Sequence, residues 1–581
     1  MKRFFITVLS LLLVFSMLLV GCNEETPENN DNNNNNNNNN KEPATEAAPF
    51  TKTEAYMPAE ISAQMKEYFE NATTGFQVYD NRDCAPFVST DVFAISDCTV
   101  KSITIPVFST STTDADGDFT FSLYILPNDW ADLKATLADT PDPIEIKINA
   151  EEHGLEENKV IRKFVKVDLS EYDIQLSKNE TLGFSSAADT LVPARVLTTG
   201  TEQKGGVKQK YAPAKYLIDN WDVVGYYYYD TSFTYADDAL LFDLELERTY
   251  ESEAAYNALI AAQAQADADY AMKIAALKEA YAGKYISVMG DSISTFNTIS
   301  NDVSLGLGNN SVYSKYTLGA SVYSYTRTYW GKLADETDMD LCVINSWGSG
   351  KVYGWNKKVN DTKSFNYKDN MLLRSYNLAN DTQDPDLILL NYGINDTAGS
   401  WSSIHASSSS KYYTANLPTG DLYQRLSDPN KTKTDKEIVA EWFAEVEAYA
   451  EQGGFDPNDP NTITFDTSTG KSNIYTTWEA AYALSLQNIK RLYPDAEIVC
   501  ITLPDRNHSS SEQPRLDKAN LLITALAEYF EVSCVDQAES GVTRANCIMY
   551  ASDATGLHPN GKGHAALTKA IVDVLYANLS K

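Results

Sequence analysis

The sequence predicts a multidomain chain. An N-terminal all-β sandwich is followed by a C-terminal α/β domain of three layers, built on a flavodoxin-like parallel sheet, and a long helix joins them. Three observations lead there. Residues 50–250 hold many short β-branched or alternating runs separated by turn residues. Residues 251–283 are rich in Ala, Glu, Gln and Lys and reach Gly283 without Pro or Gly. From Lys284 onward, apolar strand-like runs alternate with helical patterns, the rhythm of a parallel sheet covered on both faces. At 581 residues the chain exceeds one ordinary domain.

The first element is a leader. Lys2 and Arg3 precede the apolar run Phe4–Val20, which ends in Leu19-Val20-Gly21-Cys22. The small residue before Cys22 resembles a bacterial lipobox. Residues 1–22 then read as a lipoprotein signal peptide with Cys22 as the lipidated mature terminus, against an uncleaved anchor or a plain signal peptide. Residues 23–49 include nine consecutive Asn, Asn32–Asn40, and lack large apolar side chains, so they read as a disordered tether. The expected location is the cell envelope, membrane-anchored and facing outside the cytoplasm. A net charge of −33 repels phosphate backbones and excludes nucleic acid as a partner.

In residues 50–250, a short helix from Pro58 to Phe69 should precede strands at Lys101–Phe108, Phe119–Leu126, Val160–Leu169, Thr181–Ser185 and Leu240–Leu246. Trp221 and Tyr226 to Tyr229 form an aromatic cluster. In a strand, alternation sends Tyr226 and Tyr228 to one face and Tyr227 and Tyr229 to the other. One pair suits the core and the other a carbohydrate-binding surface; a purely structural domain is the competing reading. In residues 251–283, Tyr256, Leu259, Ala266, Tyr270, Ile274, Leu277 and Tyr281 recur at helical spacing, with Gln263 breaking the stripe.

The domain 284–581 should carry strands at Tyr285–Met289, Asp340–Ile344, Leu387–Leu390, Glu497–Leu503 and Val532–Val535. Helices should cover Asp435–Gln452, Trp478–Leu492, Asp517–Phe530 and Ala565–Leu579. Cys84 and Cys98 are close enough to pair across neighbouring strands, whereas Cys342, Cys500 and Cys534 sit in or beside apolar runs and read as buried thiols. No CxxC or Cys/His cluster offers a zinc site, and Asp114–Asp118 and Asp456–Asn461 read as turns, not calcium loops.

Chemistry concentrates in four segments. Gly290-Asp291-Ser292-Ile293-Ser294 follows the first strand and Asn345-Ser346-Trp347-Gly348-Ser349-Gly350 the second. Gly393-Ile394-Asn395-Asp396 follows the third, and Leu557-His558-Pro559-Asn560 precedes the last helix. Sites of such sheets lie at the carboxyl ends of strands. Ester hydrolysis by Ser needs a nucleophile, a base in reach and donors for the oxyanion. Ser292 supplies a hydroxyl, His558 a base, Gly350 a backbone N–H and Asn395 an amide, with the Ser292 N–H as third donor. Read singly, Ser292 could be a helix N-cap, and Asn395 and Asp396 could shape a turn. His564 and the loop residues His153, His405 and His508 have no assigned role.

In this order the four segments resemble the SGNH hydrolases, or GDSL-type esterases, over residues 284–581, about half the chain. The resemblance implies an SGNH hydrolase domain with Ser292 as nucleophile, His558 as base, and Gly350 and Asn395 as oxyanion donors, using no metal or cofactor. Gly348 rivals Gly350. The sequence departs from the family pattern at Thr555, where an Asp is usual three residues before the His. Asp553 is the candidate to orient His558, against a backbone carbonyl or an inactive domain. No Gly-x-Ser-x-Gly elbow occurs at Ser292.

The expected function is a surface-tethered serine esterase acting on acyl esters of an extracellular carbohydrate, acetyl above all. The alternatives are a glycan-binding or adhesion lipoprotein with an inactive hydrolase domain, or a lipase or thioesterase of the same family.

Overall fold

In the N-terminal part, alternation of large apolar with polar side chains produces antiparallel strands. The computed structural model of the protein describes residues 48–55, 76–77, 87–89, 97–109, 118–127, 142–149, 151–154, 160–177, 180–186, 195–197, 201–204, 207–210, 224–229, 232–240, 243–295, 325–348, 350–353, 370–397, 422–466, 471–475, 477–506, 512–544, 546–551, 556–559 and 561–580. The expected leader, residues 23–47 of the tether, the helix from Pro58, and Asp553 with Thr555 lie outside these residues.

One antiparallel sheet joins strands Phe50–Ala55, Asp243–Tyr250, Cys98–Ser109 and Val160–Asp168 in that order, with Gln175–Leu176 added to Cys98–Ser109. A second sheet of eight strands runs from Phe76–Gln77 to Ile144–Asn149 and includes Val224–Tyr229. The side chains of the Tyr226–Tyr229 cluster lie outside what is described. Val100, Ile103, Leu123, Ile146 and Leu246 are buried. The strand expected at Leu240–Leu246 is instead Asp243–Tyr250. Its inward row runs Leu244, Leu246, Arg248, and the buried Arg248 faces Glu54 at 3.4 Å. Cys98 is a buried thiol, as are Cys342 and Cys500, while Cys534 is a half-buried one; the expected partner of Cys98, Cys84, lies outside the described residues.

The first of these strands pairs with the last, Phe50 opposite Tyr250. Helix α1, Glu253–Tyr281, starts immediately after. Ser252 caps it by accepting the Ala255 N–H at 3.1 Å. Tyr256 in its first turn meets the Phe50 and Tyr250 rings at 5.4 and 5.0 Å. Residues 257–267 are exposed all round, and Gln263 and Gln265 bond Asp267 and Asp269 one turn on. The second half is held: Leu277 and Tyr281 are buried, and Lys273 pairs with Asp573 at 2.6 Å.

The parallel sheet consists of β1 (Tyr285–Gly290), β2 (Asp340–Ser346), β3 (Leu387–Asn391), β4 (Glu497–Ile501) and β5 (Ser533–Val535), in the order β2-β1-β3-β4-β5. That is the flavodoxin-like order, whose switch point lies between β1 and β3. Every residue of β3 is buried, so both its faces are covered. Asp386 fixes the register by accepting the Tyr285 N–H at 2.8 Å.

The helices around the sheet are α2 (Tyr329–Thr337), α3 (Met371–Arg374), α4 (Ile394–Thr397), α5 (Leu422–Ser427), α6 (Asp435–Gln452), α7 (Trp478–Leu492), α8 (Gln513–Tyr529) and α9 (Gly561–Asn578). They form two groups, each packed within itself: α1, α2 and α9 in one, and α3 to α8 in the other. Helix α6 opens with a capping box between Thr434 and Glu437. Among the described residues no helix is long and apolar enough to cross a membrane.

Candidate active site

β1 ends at Gly290, and the chain turns at once into a short 3-10 turn, Ser292–Ser294. Asp291 caps that turn, its Oδ1 accepting the Ile293 N–H at 3.1 Å. Ser292 therefore leaves the carboxyl end of a central strand with its hydroxyl beside a turn N-terminus. It is 5% exposed and His558 8%. The His558 Nε2 lies 2.9 Å from Ser292 Oγ across 266 residues of chain, within the reach a nucleophile and its base require.

Asn395 sits in α4, after β3, and donates its Nδ2 to the Gly350 carbonyl at 3.0 Å. Asp396 accepts the Val352 N–H at 3.0 Å. The Gly393 segment thus grips residues 350–352 at two points. Gly393 has φ +128°, and a Cβ there would meet Trp478 Cζ2 at 3.0 Å. The Gly350 N–H closes an i to i+3 turn onto the Trp347 carbonyl at 3.0 Å.

Two groups that sequence reasoning passed over underlie the site. Arg374 is fully buried and donates to the Gly290 carbonyl at 3.1 Å, to Asn345 Oδ1 at 3.2 Å and to the Tyr392 hydroxyl. The one sequence signal was an arginine closing the apolar run Met371-Leu372-Leu373. His564, at 0% exposure, accepts the Tyr329 N–H on Nδ1 at 3.2 Å. Tyr329 in turn meets Ser294 Oγ at 2.7 Å. Among the described residues no cluster of His, Cys, Asp and Glu is arranged to hold a metal. A separate groove of about 400 Å³ lies between α6 and α7, lined by Glu447, Glu451, Phe455 and Arg491.

Burial pushes the Asp291 carboxyl up from 3.8 to about 7, although the Ile293 N–H and the charges of His558 and Arg374 pull it down. Burial pulls His564 down from 6.5 to about 3, helped by the charge of His558. The signs oppose. Asp291 keeps a proton that the unfolded chain releases, so its contribution is complete below 3.8 and is lost as pH rises through about 7. His564 refuses a proton that the unfolded chain takes, so its contribution is complete above 6.5 and is lost as pH falls toward 3. Between them the two slopes cancel, each about 1.4 kcal/mol per pH unit. Taking urea unfolding from pH 6.5 down to pH 4, His564→Gln is expected to gain stability relative to wild type and Asp291→Asn to lose it, each by that slope. Parallel stability profiles for all three proteins would refute the cancellation.

Residues 324–566 match the GDSL-like lipase/acylhydrolase family. The match takes in Gly350, Asn395 and His558 and starts after Ser292, which joins them through the bond to His558. No curated protein matches the chain. Solved structures with likeness include a protein described as a GDSL-like lipase from Bacteroides uniformis, with 18% identity, 51% of this chain and 96% of that chain covered, and a TM-score of 0.27. Others are a carbohydrate esterase family 2 enzyme plus carbohydrate binding domain from Corynascus thermopiles (14%, 84% and 93%, TM-score 0.26) and a family two carbohydrate esterase from Clostridium thermocellum in complex with cellohexaose (11%, 87% and 97%, TM-score 0.26). Residues 324–566 carry a GDSL-like lipase/acylhydrolase domain, and that domain makes the protein a serine esterase.

Proposed function

We propose that Ser292 is the nucleophile and His558 the general base of an esterase that removes small acyl groups, acetyl above all, from an extracellular carbohydrate. The observation that carries this reading is the 2.9 Å approach of Ser292 Oγ to His558 Nε2. His558 takes the Ser292 proton as Oγ attacks the ester carbonyl carbon. The oxyanion is met by the Ser292 N–H and the Asn395 amide, which keeps a second N–H besides the one given to Gly350. Collapse breaks the ester C–O bond, and His558 passes its proton to the leaving alcohol. Water then repeats the sequence on the acyl-enzyme, returning the carboxylic acid and Ser292.

The small exposure of Ser292 and His558 supports a short acyl chain. Carbohydrate as the alcohol is supported by the lipobox-like Leu19-Val20-Gly21-Cys22 and by the tyrosine-rich strand Val224–Tyr229. In this reading Cys22 is lipidated and holds the protein to the outer side of a membrane, and the two antiparallel sheets pack as a sandwich that binds glycan. Incubation with diethyl 4-nitrophenyl phosphate is expected to place one diethylphosphoryl group on Ser292, located by peptide mass spectrometry, and to abolish release of acetate from acetylated xylan. Full esterase activity with Ser292 unlabelled would defeat the assignment.

A further inference from the structure

We propose that Arg374 is a positioning residue of the esterase site, tying together the carboxyl ends of β1, β2 and β3 and holding a fixed positive charge beneath the turn beside the oxyanion. The inference rests on the Ser292 reading above and goes beyond it to a residue that touches no substrate.

Arg374 closes α3 and is wholly buried. Its Nη2 donates to the carbonyls of Gly290, at 3.1 Å, and Asn345. Gly290 ends β1 two residues before Ser292. Nε donates to Asn345 Oδ1 at 3.2 Å, and Asn345 Nδ2 returns a bond to the Arg374 carbonyl at 3.1 Å. Nη1 donates to the hydroxyl of Tyr392, the residue after β3, and the guanidinium lies 4.8 Å from that ring's centre. One planar fork therefore engages three strand ends, which a lysine ammonium cannot do.

The fork also lies against the catalytic loops. A Cβ built on Gly350 would come 2.8 Å from Tyr392 Oη and 3.1 Å from Arg374 Nη1. The turn from Trp347 to Gly350 thus rests directly on the cation, and Asn395 is bonded to that turn's Gly350 carbonyl. Burying a cation is costly, and an apolar side chain would fill this space at less cost in stability. A preorganised charge under a site where negative charge develops accelerates the reaction without reorganising. Asp291 lies within its field as well.

The test uses the full chain, with 4-nitrophenyl acetate as substrate and phenylboronic acid as a probe that adds to serine as a tetrahedral anion. Arg374→Lys and Arg374→Met are expected to lower kcat at least ~10-fold with KM unchanged, and to weaken phenylboronic acid by the same factor. Tyr392→Phe, which keeps the ring and removes the hydroxyl, should show a smaller loss of the same kind. Wild-type kcat and boronate affinity in a folded Arg374→Lys protein would overturn the proposal. So would a kcat loss that follows only the folded fraction in urea, with boronate affinity per folded molecule unchanged. An inactive wild type would instead strike the Ser292 reading itself.

Discussion

Ser292→Ala and His558→Ala are each expected to lower kcat for 4-nitrophenyl acetate by about 10⁴–10⁶-fold, and the double variant to lose no more than either alone. The reason is mechanical. A neutral serine hydroxyl is a poor nucleophile, and attack and proton transfer are one event, so a hydroxyl without its base and a base without its hydroxyl are equally useless. The 2.9 Å separation means that no rearrangement is needed before that event. Both side chains are small enough that truncation leaves the sheet intact, so KM is expected to change little. Single losses that multiply in the double variant would mean that the two residues act separately, and the shared-proton mechanism would fall.

The second large effect is expected at Gly290. A Cβ there would sit 2.3 Å from Ser294 Oγ, 2.7 Å from Ser294 Cβ and 2.8 Å from the Asn391 carbonyl. Neither neighbour is free to yield. Ser294 is buried with its hydroxyl on Tyr329, and Asn391 belongs to β3, which is bonded to β1 along its length. Gly290→Ala must therefore push the Ser292 turn away from β3. Overpacking of this kind costs about 1–3 kcal/mol, and a shift near 1 Å at the nucleophile costs about 10²-fold in kcat. Gly290→Ala/Ser294→Gly removes two of the three clashes and should recover part of both losses. Chemical denaturation beside initial rates checks this; a stable, fully active Gly290→Ala protein would show that the turn is looser than its contacts imply.

Much of the C-terminal domain was legible because its elements carry uniform signals. Leu387–Leu390 is apolar throughout, and α6 and α7 run between the residues their periodicity suggested. Helix α2 was missed because Tyr329–Thr337 is short and interleaves Lys332, Asp335 and Glu336 with its apolar face. The strand Asp243–Tyr250 was placed too early because its last inward position is Arg248, which a count of apolar residues does not register. Arg374 escaped for the same reason. Ser292, Asn395 and His558 stood out through fixed neighbours in the sequence. Asp553 lies outside the described residues.

The pairing of Phe50 with Tyr250 has a mechanical consequence. Under the lipid anchoring proposed above, tension between the N-terminus and the catalytic half would enter at Phe50 and leave at Tyr250, on the same end of one antiparallel ladder. Such a load peels the ladder open rung by rung instead of shearing all rungs together, so yield begins at low force. Tyr256, packed on both rings at that end, is the clasp against the first rung's failure, and the rest of the N-terminal region lies off the line of force.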